Sequence, residues 1–157
     1  MLTNCLLSSM TRIAPICLLL VYGIFAYSAA CAEQNSLRHL FQRPDQSVVY
    51  FDLELAASFE QRRQGLMWRE SLQPRTGMLF DFDKESKIRM WMKNTLLPLD
   101  MIFLDKKKYI VHIHRGAVPG SLKIIETPHD ARFTVELNAG EVSEYELSLG
   151  DRLFRER

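Results

Sequence analysis

The stretch Leu99-Asp100-Met101-Ile102-Phe103-Leu104 decides the fold class, because five of its six side chains are apolar. A short, continuous apolar run of this length is typical of a strand that is buried on both faces of a sheet. The polar turn Asp105-Lys106-Lys107-Lys108 follows it, and residues 109–114 are predicted to return as the antiparallel partner. The centre of the domain is therefore predicted to be a buried β-hairpin.

Alternating apolar and polar residues predict further strands on both sides of this hairpin. In one of them, Phe133, Val135 and Leu137 alternate with polar residues that include Glu136. This alternation predicts one buried and one polar face for that strand. The other predicted strands span residues 48–55, 78–83, 88–93, 122–126 and 152–154.

Two segments have features of short helices. Ser58-Phe59-Glu60-Gln61 has the form of a capping box, and Gly65 is suited to end the helix that follows. Residues 140–147 are compatible with either a helix or extended structure. The whole pattern predicts a single, mainly β domain with one or two short helices (α+β), folded as a small barrel-like or strongly curved antiparallel sheet.

The first 32 residues differ in composition from the rest and are predicted to be a signal peptide or an N-terminal membrane anchor. Their one basic residue is Arg12, which precedes the apolar run of residues 16–27 and then a group of small residues. Residues 33–47 are polar and are predicted to be a linker, so the β-rich domain is expected to span residues 48–154. We expect this domain to be exported to the periplasm or another extracytoplasmic location.

Three fates of the N-terminal segment remain open. Ala30-Cys31-Ala32 fits the cleavage pattern of a signal peptide, which would make Glu33 the new N-terminus. Ser28-Ala29-Ala30-Cys31 is a degraded lipobox, so Cys31 is a weak candidate for lipidation. An uncleaved segment would be long enough to span the bilayer. Contact with the membrane is expected through this segment only.

The chain after residue 32 contains no cysteine and has no net charge. Cys5, Cys17 and Cys31 all precede it, which excludes disulfides, thiolate nucleophiles and zinc knuckles from the domain. Without Arg12, the 19 remaining Lys and Arg residues balance the 19 Asp and Glu residues. This balance argues against nucleic-acid binding. No cofactor is predicted either.

Several motifs resemble the signature of an uncharacterised prokaryotic family, the domain of unknown function 192. These motifs are Gly65-Leu66-Met67, Arg69, Leu72, Gly77-Met78-Leu79-Phe80, Trp91-Met92-Lys93-Asn94-Thr95 and Pro98-Leu99-Asp100. The resemblance covers residues 48–153. It implies a small β-rich, barrel-like domain that is often exported and has no established activity.

The stretch Trp91-Met92-Lys93-Asn94-Thr95 is the preferred candidate for a functional site. Alternation along a strand places Arg89, Trp91 and Lys93 on one face. An indole ring, two cations and an adjacent amide suit a sugar ring or a small anionic ligand. The hypothetical ligand site comprises Arg62, Arg89, Trp91, Lys93, Asn94, Thr95 and Asp100. The alternative is structural, with a turn at Asn94-Thr95 and an ion pair between Lys93 and Asp100.

The sequence favours a non-enzymatic binding or accessory domain of the cell envelope, whose partner is a small polar ligand, a sugar or an envelope protein. The alternative is a small hydrolase that uses Asp100 and Lys93. Against it, the domain has neither a G-x-S-x-G elbow nor a Cys-His pair. No catalytic residue is therefore assigned.

Metal handling is a further alternative. His112 and His114 lie two residues apart and are weak candidates for zinc or copper ligands. Met90 and Met92 have the same spacing and could bind Cu(I), although both share a face with Ile88 and are expected to fill the core.

Overall fold

The computed structural model describes residues 36–156. The predicted signal peptide or membrane anchor, including Cys31, therefore lies outside the described residues. Within residues 36–156 no helix is both long enough and apolar enough to cross a membrane.

The described residues form nine strands and two short helices, so the domain is mainly β, as predicted. In chain order the elements are β1 (Ser36–Gln42), β2 (Val48–Ala56), α1 (Phe59–Gln64), β3 (Thr76–Ser86), β4 (Arg89–Met90), β5 (Leu99–Leu104), β6 (Ile110–Ala117), β7 (Ile125–Glu126), β8 (Ala131–Asn138), α2 (Glu141–Glu144) and β9 (Arg152–Arg155).

Seven strands form one sheet in the order β6-β5-β8-β3-β2-β1-β9, and β4 pairs with β7 in a separate ribbon. Neighbouring strands are antiparallel except for β2 and β3, which are parallel. The two edges of the large sheet approach each other at one end, where Tyr109 forms an isolated bridge with Arg152. The sheet is therefore a strongly curled half-barrel, which confirms the predicted fold class with one parallel pair as the exception.

The central strands are buried on both faces, because core residues cover both sides of the sheet. The inner cluster lies on the face that all the large-sheet strands share: Phe41, Phe51, Leu53, Leu79, Ile102, Leu104, Ile110, Phe133, Val135, Leu137, Val142, Leu147 and Leu153. The outer cluster lies on the other face: Ala56, Leu66, Met78, Phe80, Ile88, Met90, Met92, Leu99, Met101, Phe103, Ala117 and Ala131.

Strand β1 lies within the segment that was predicted to be a linker, so that prediction is wrong for Ser36–Gln42. The strand pairs with β2 on one side and with β9 on the other. Its buried positions are His39 and Phe41. The His39 Nδ1 atom forms a hydrogen bond with the Leu37 carbonyl oxygen at 2.7 Å. A histidine on the buried face interrupts the apolar period, which is why the pattern does not indicate a strand.

Helix α1 forms as predicted and is held close to the sheet. The Ser58 hydroxyl accepts from the Gln61 amide at 3.1 Å, and the Gln61 side chain accepts from the Ser58 amide at 2.9 Å. Gly65 ends the helix with a positive φ of 49°. Beyond it, Arg69 makes a two-pronged ion pair with Glu54 of β2 at 2.5 and 2.6 Å. This pair ties the segment after α1 to the sheet.

Asp100 is a buried structural residue with 1% of its surface exposed. One carboxylate oxygen accepts from the Gly116 amide at 2.9 Å. The other accepts from the amides of Gly140 and Val142 at 2.9 and 3.2 Å. The carboxylate thus joins β5 to the end of β6 and to the start of α2, since each of these amides would otherwise lack an acceptor.

We predict that Asp100→Asn lowers the free energy of unfolding by about 2–3 kcal/mol, because an amide nitrogen cannot accept from the buried N–H groups. Urea denaturation of the full chain measures the change. Asp52→Asn is the matched control, because the Asp52 carboxylate is half-exposed and reaches Arg38 only at 3.8 Å. Equal stabilities of the two variants would contradict the structural role of Asp100.

Candidate functional site

The predicted alternation around Trp91 is confirmed. Ile88, Met90 and Met92 are buried in the outer cluster. Arg89, Trp91 and Lys93 point to the exposed side, although only residues 89 and 90 pair as strand β4.

The exposed side chains near Trp91 have partners within the described residues. The Lys93 ammonium lies 5.3 Å from the centre of the Trp91 ring, and the Arg89 guanidinium lies 3.7 Å from the Glu126 carboxylate. Both are surface interactions that contribute little to stability. They leave the Trp91 indole partly accessible, with 44% of its surface exposed.

Asn94 and Thr95 form the turn that the structural alternative predicted. Asn94 has a positive φ of 57°, its carbonyl oxygen accepts from the Trp68 amide at 2.9 Å, and its side-chain nitrogen lies 3.8 Å from the Met67 sulfur. The Thr95 amide donates to the Met92 carbonyl oxygen at 3.0 Å. The Asn94 amide group is thus directed at the protein, while Thr95 lines a cavity.

Asp100 does not belong to this site, which corrects the sequence-based prediction. It alternates with Met101 along β5, so it lies on the face of the sheet opposite the outer cluster. Its carboxylate is occupied by backbone amides and does not pair with Lys93. The arrangement removes the pair on which the hydrolase alternative was based.

Arg62 forms part of the cavity wall. Only 19% of its side chain is exposed, because the guanidinium stacks on the Phe82 ring at 5.6 Å from the ring centre. It donates to the carbonyl oxygens of Ala57 and Asp81, the latter at 2.6 Å, and lies 3.4 Å from the Asp83 carboxylate. The residue is present at the site as predicted. Its Nη1 makes all three of these contacts, whereas Nη2 and Nε have no hydrogen bond to the residues that the structure describes.

A cavity of about 340 Å³ opens between α1 and the β4 segment. Its lining is apolar and aromatic in the interior and basic at the mouth. The interior residues include Leu66, Met67, Phe80, Phe82 and Met90. Trp91 is partly exposed at the edge of the cavity, and the arginines at the mouth are Arg62, Arg63 and Arg89. A concave, mostly apolar cavity with few polar groups is the usual form of a site for a small molecule. We call it the Glu136 cavity, after the one carboxylic acid that residues 36–156 contribute to its lining.

Glu136 is the functional candidate that sequence reasoning missed. It is 5% exposed and lies on β8 directly between Met78 of β3 and Met101 of β5. Burial raises the pKa of Glu136 to about 8, and no charge or hydrogen bond from the described residues offsets this effect. The carboxyl is therefore largely protonated at neutral pH, and none of residues 36–156 forms a hydrogen bond or an ion pair with it.

The sequence contained a signal for this residue, but the signal was ambiguous. Alternation placed Glu136 and Thr134 on a polar face of β8, whereas the structure buries both. The strand pairs with β3 and β5 on its two sides, and the outer cluster covers the face that Glu136 occupies. Only the long-range pairing of β8 distinguishes a buried acid from a solvated one.

Within residues 36–156, no group of three His, Cys, Asp or Glu residues is placed to hold a metal ion. His112 stacks on the Phe103 ring, with 5.6 Å between the ring centres. Burial lowers the pKa of His112, and the nearby His114 and His129 lower it further. Met90 and Met92 lie in the outer cluster, as their shared face with Ile88 predicted.

Comparison with known proteins identifies the family and the fold. A family model described as an uncharacterised conserved region, the domain of unknown function 192, matches residues 41–154. No curated protein is significantly similar to the chain.

Solved structures of two bacterial proteins are similar to this chain. One, from Sinorhizobium meliloti 1021, is described as a proposed transcription regulator; it is 42% identical with a TM-score of 0.74, over 76% of this chain and 93% of that one. The other, from Novosphingobium aromaticivorans DSM 12444, has unknown function; it is 25% identical with a TM-score of 0.72, over 76% of this chain and 84% of that one. Because the family model covers most of the chain, the protein belongs to the domain of unknown function 192 family.

Proposed function

We propose that this protein is an exported, non-enzymatic binding domain of the cell envelope that holds a small ligand in the Glu136 cavity. The observation that carries the proposal is the buried side chain of Glu136, which faces a cavity of about 340 Å³ and has no hydrogen-bond partner in the described part of the chain. The Glu136 oxygens are not among the fully enclosed polar atoms that lack a partner, so they are accessible from the cavity. An acid with a raised pKa that is accessible in a cavity is a candidate for ligand recognition.

Binding is favoured over catalysis by the composition of the cavity. Hydrolysis by carboxylates requires two of them at a defined separation, or a nucleophile with a positioned base. Among the described residues that line the cavity, Glu136 is the one carboxylic acid, and Asp100 lies on the other face of the sheet. The aromatic and thioether walls instead suit a ligand with an apolar body and one polar group that reaches Glu136.

The N-terminal sequence supports an extracytoplasmic location, because residues 1–32 have the composition of a signal peptide or membrane anchor. The description of the Sinorhizobium meliloti relative raises transcriptional regulation as another function. We do not extend it to this chain, since residues 33–157 have equal numbers of basic and acidic residues and lack the excess positive charge typical of nucleic-acid binding.

A second candidate function is the binding of an envelope protein. A shallow groove adjoins the cavity at Thr95 and is lined by the exposed side chains of Trp68, Leu96 and Leu122. Lys93 is the one charged residue that the described part of the chain contributes to its lining. An apolar partner segment that carries an acidic residue would complement this groove.

We predict that the wild-type protein loses stability as the pH rises from about 5 through 8, owing to Glu136. Its pKa in the folded protein is raised from 4.5 to about 8, so the folded state binds the proton more tightly than the unfolded state does. Full ionisation of the buried acid then costs on the order of 5 kcal/mol. Glu136→Gln should become more stable relative to the wild type over this range.

Urea denaturation at pH 5, 7 and 9 measures this difference. Groups such as His39, whose pKa is lowered by burial, are present in both proteins and so cancel in the comparison. Glu144→Gln on the exposed surface of α2 is the matched control and should follow the wild type. Parallel curves for wild type and Glu136→Gln would show that the Glu136 pKa is ordinary and would remove the basis of the site.

We predict that a thermal-shift screen of the full chain against sugars, amino acids, amines and organic anions finds a class of compounds that raises the melting temperature. Saturation at about 100 times the Kd stabilises the folded state by about 2.7 kcal/mol. The shift should disappear in Glu136→Gln and persist in Glu144→Gln. A shift that Glu136→Gln retains would place the ligand elsewhere, and a flat result over the whole panel would favour the protein-binding candidate.

A further inference from the structure

The charges around the Glu136 cavity are separated between its floor and its mouth. On the flanking strands, Glu136 has the uncharged neighbours Met78 and Met101. The charged residues of the cavity lining are arginines on α1 and at the β4 segment: Arg62, Arg63 and Arg89. A ligand in the cavity therefore meets one acidic group at the buried end and basic groups at the open end.

The three arginines are not equally available to a ligand. Arg62 donates to carbonyl oxygens and lies beside the Asp83 carboxylate. Arg89 pairs with Glu126 at 3.7 Å. Arg63, in the last turn of α1, is exposed and has no ion pair with any of residues 36–156. Of these three arginines, Arg63 is therefore the one for which no described residue competes with an external anion.

The buried end of the cavity, where Glu136 lies, suits a cationic group of the ligand. The Glu136 carboxyl is 5% exposed and lacks a protein donor among the described residues, so an ammonium group would supply both the missing hydrogen bonds and a counter-charge. The buried Phe80 ring in the lining also favours a cation in the cavity, since aromatic faces attract positive charge.

We propose that the ligand of the Glu136 cavity is a small zwitterion, with an ammonium group at the Glu136 carboxylate and an anionic group at the Arg63 guanidinium. A short apolar chain between the two charges lies against the aromatic and methionine side chains of the walls. The inference rests on the proposed function and deepens it, because it assigns a chemical class to the ligand.

Ionisation of Glu136 accompanies binding in this proposal. The free cavity holds Glu136 mainly as the neutral acid at pH 7, because burial raises its pKa. Pairing with an ammonium group stabilises the carboxylate, so binding releases a proton to the solvent. The charged groups that face the cavity from the packed elements are Arg62 and Arg63 of α1 and Arg89 of β4, and they are cationic throughout the neutral range.

The test is isothermal titration calorimetry of the full chain with three probes of equal chain length: 5-aminopentanoate, pentylamine and pentanoate. We expect 5-aminopentanoate to bind most tightly and pentanoate most weakly, with a difference of at least about tenfold, since hydrogen bonds to charged groups are worth that much. Repeating the titration at pH 7 in buffers of different ionisation enthalpy should show proton release with 5-aminopentanoate and pentylamine.

Two substitutions test separately how the protein binds each charged end of the ligand. Glu136→Gln should weaken the binding of 5-aminopentanoate by at least about tenfold and abolish the proton release that accompanies it. Arg63→Gln should weaken the binding of 5-aminopentanoate and leave the affinity for pentylamine unchanged. The control Arg155→Gln on β9 should change neither affinity. If Glu136→Gln does not fold, as judged by circular dichroism, the Arg63→Gln comparison still decides the orientation of the ligand.

Other outcomes overturn the proposal in distinguishable ways. Pentanoate that binds as tightly as 5-aminopentanoate, with proton uptake, would show that the cavity accepts an acid and that the zwitterion class is wrong. Binding of none of the three probes, together with a Glu136-dependent hit elsewhere in the thermal-shift panel, would reject the zwitterion but retain the binding function. Absence of any Glu136-dependent ligand would reject both.

Discussion

The burial of β5 and β8 on both faces is the constraint on which the rest of this structure depends. These strands lie side by side within the sheet, with the inner cluster on one face and the outer cluster on the other. The close pairing of β8 with β3 requires glycine at position 77, where a Cβ would lie 2.2 Å from the Glu136 carbonyl oxygen. Burial of a polar side chain on these strands therefore costs free energy unless another group forms a hydrogen bond with it.

Two carboxylic acids occupy this buried region, and they differ in whether protein groups donate hydrogen bonds to them. Asp100 receives three backbone amides and connects β5 to β6 and α2. Glu136 receives none from the described residues and faces a cavity, where burial raises its pKa to about 8. The contrast separates a carboxylate that stabilises the fold from one that is free to contact a ligand.

The sequence allowed most of the fold to be predicted, because local periodicity reports burial directly. The apolar run at residues 99–104 and the capping box at Ser58 correspond to observed elements. The alternation at residues 88–93 correctly gives the buried and exposed sides, but only Arg89–Met90 forms a strand. Strand β1 was missed because His39 occupies a position on its buried face. The site was half predictable: Arg62, Arg89, Trp91 and Thr95 line the cavity, whereas Lys93, Asn94 and Asp100 do not.

By itself the sequence determined the mainly β architecture, the family motifs, and the absence of cysteine and net charge from residues 33–157. The tertiary structure alone decided which acid belongs to the fold and which to the cavity. The physical reason is that alternation gives the side of a strand on which a residue lies, but not what covers that side. Glu136 has a methionine beside it on each neighbouring strand and faces the cavity. The residues that form these surroundings are distant from it in sequence.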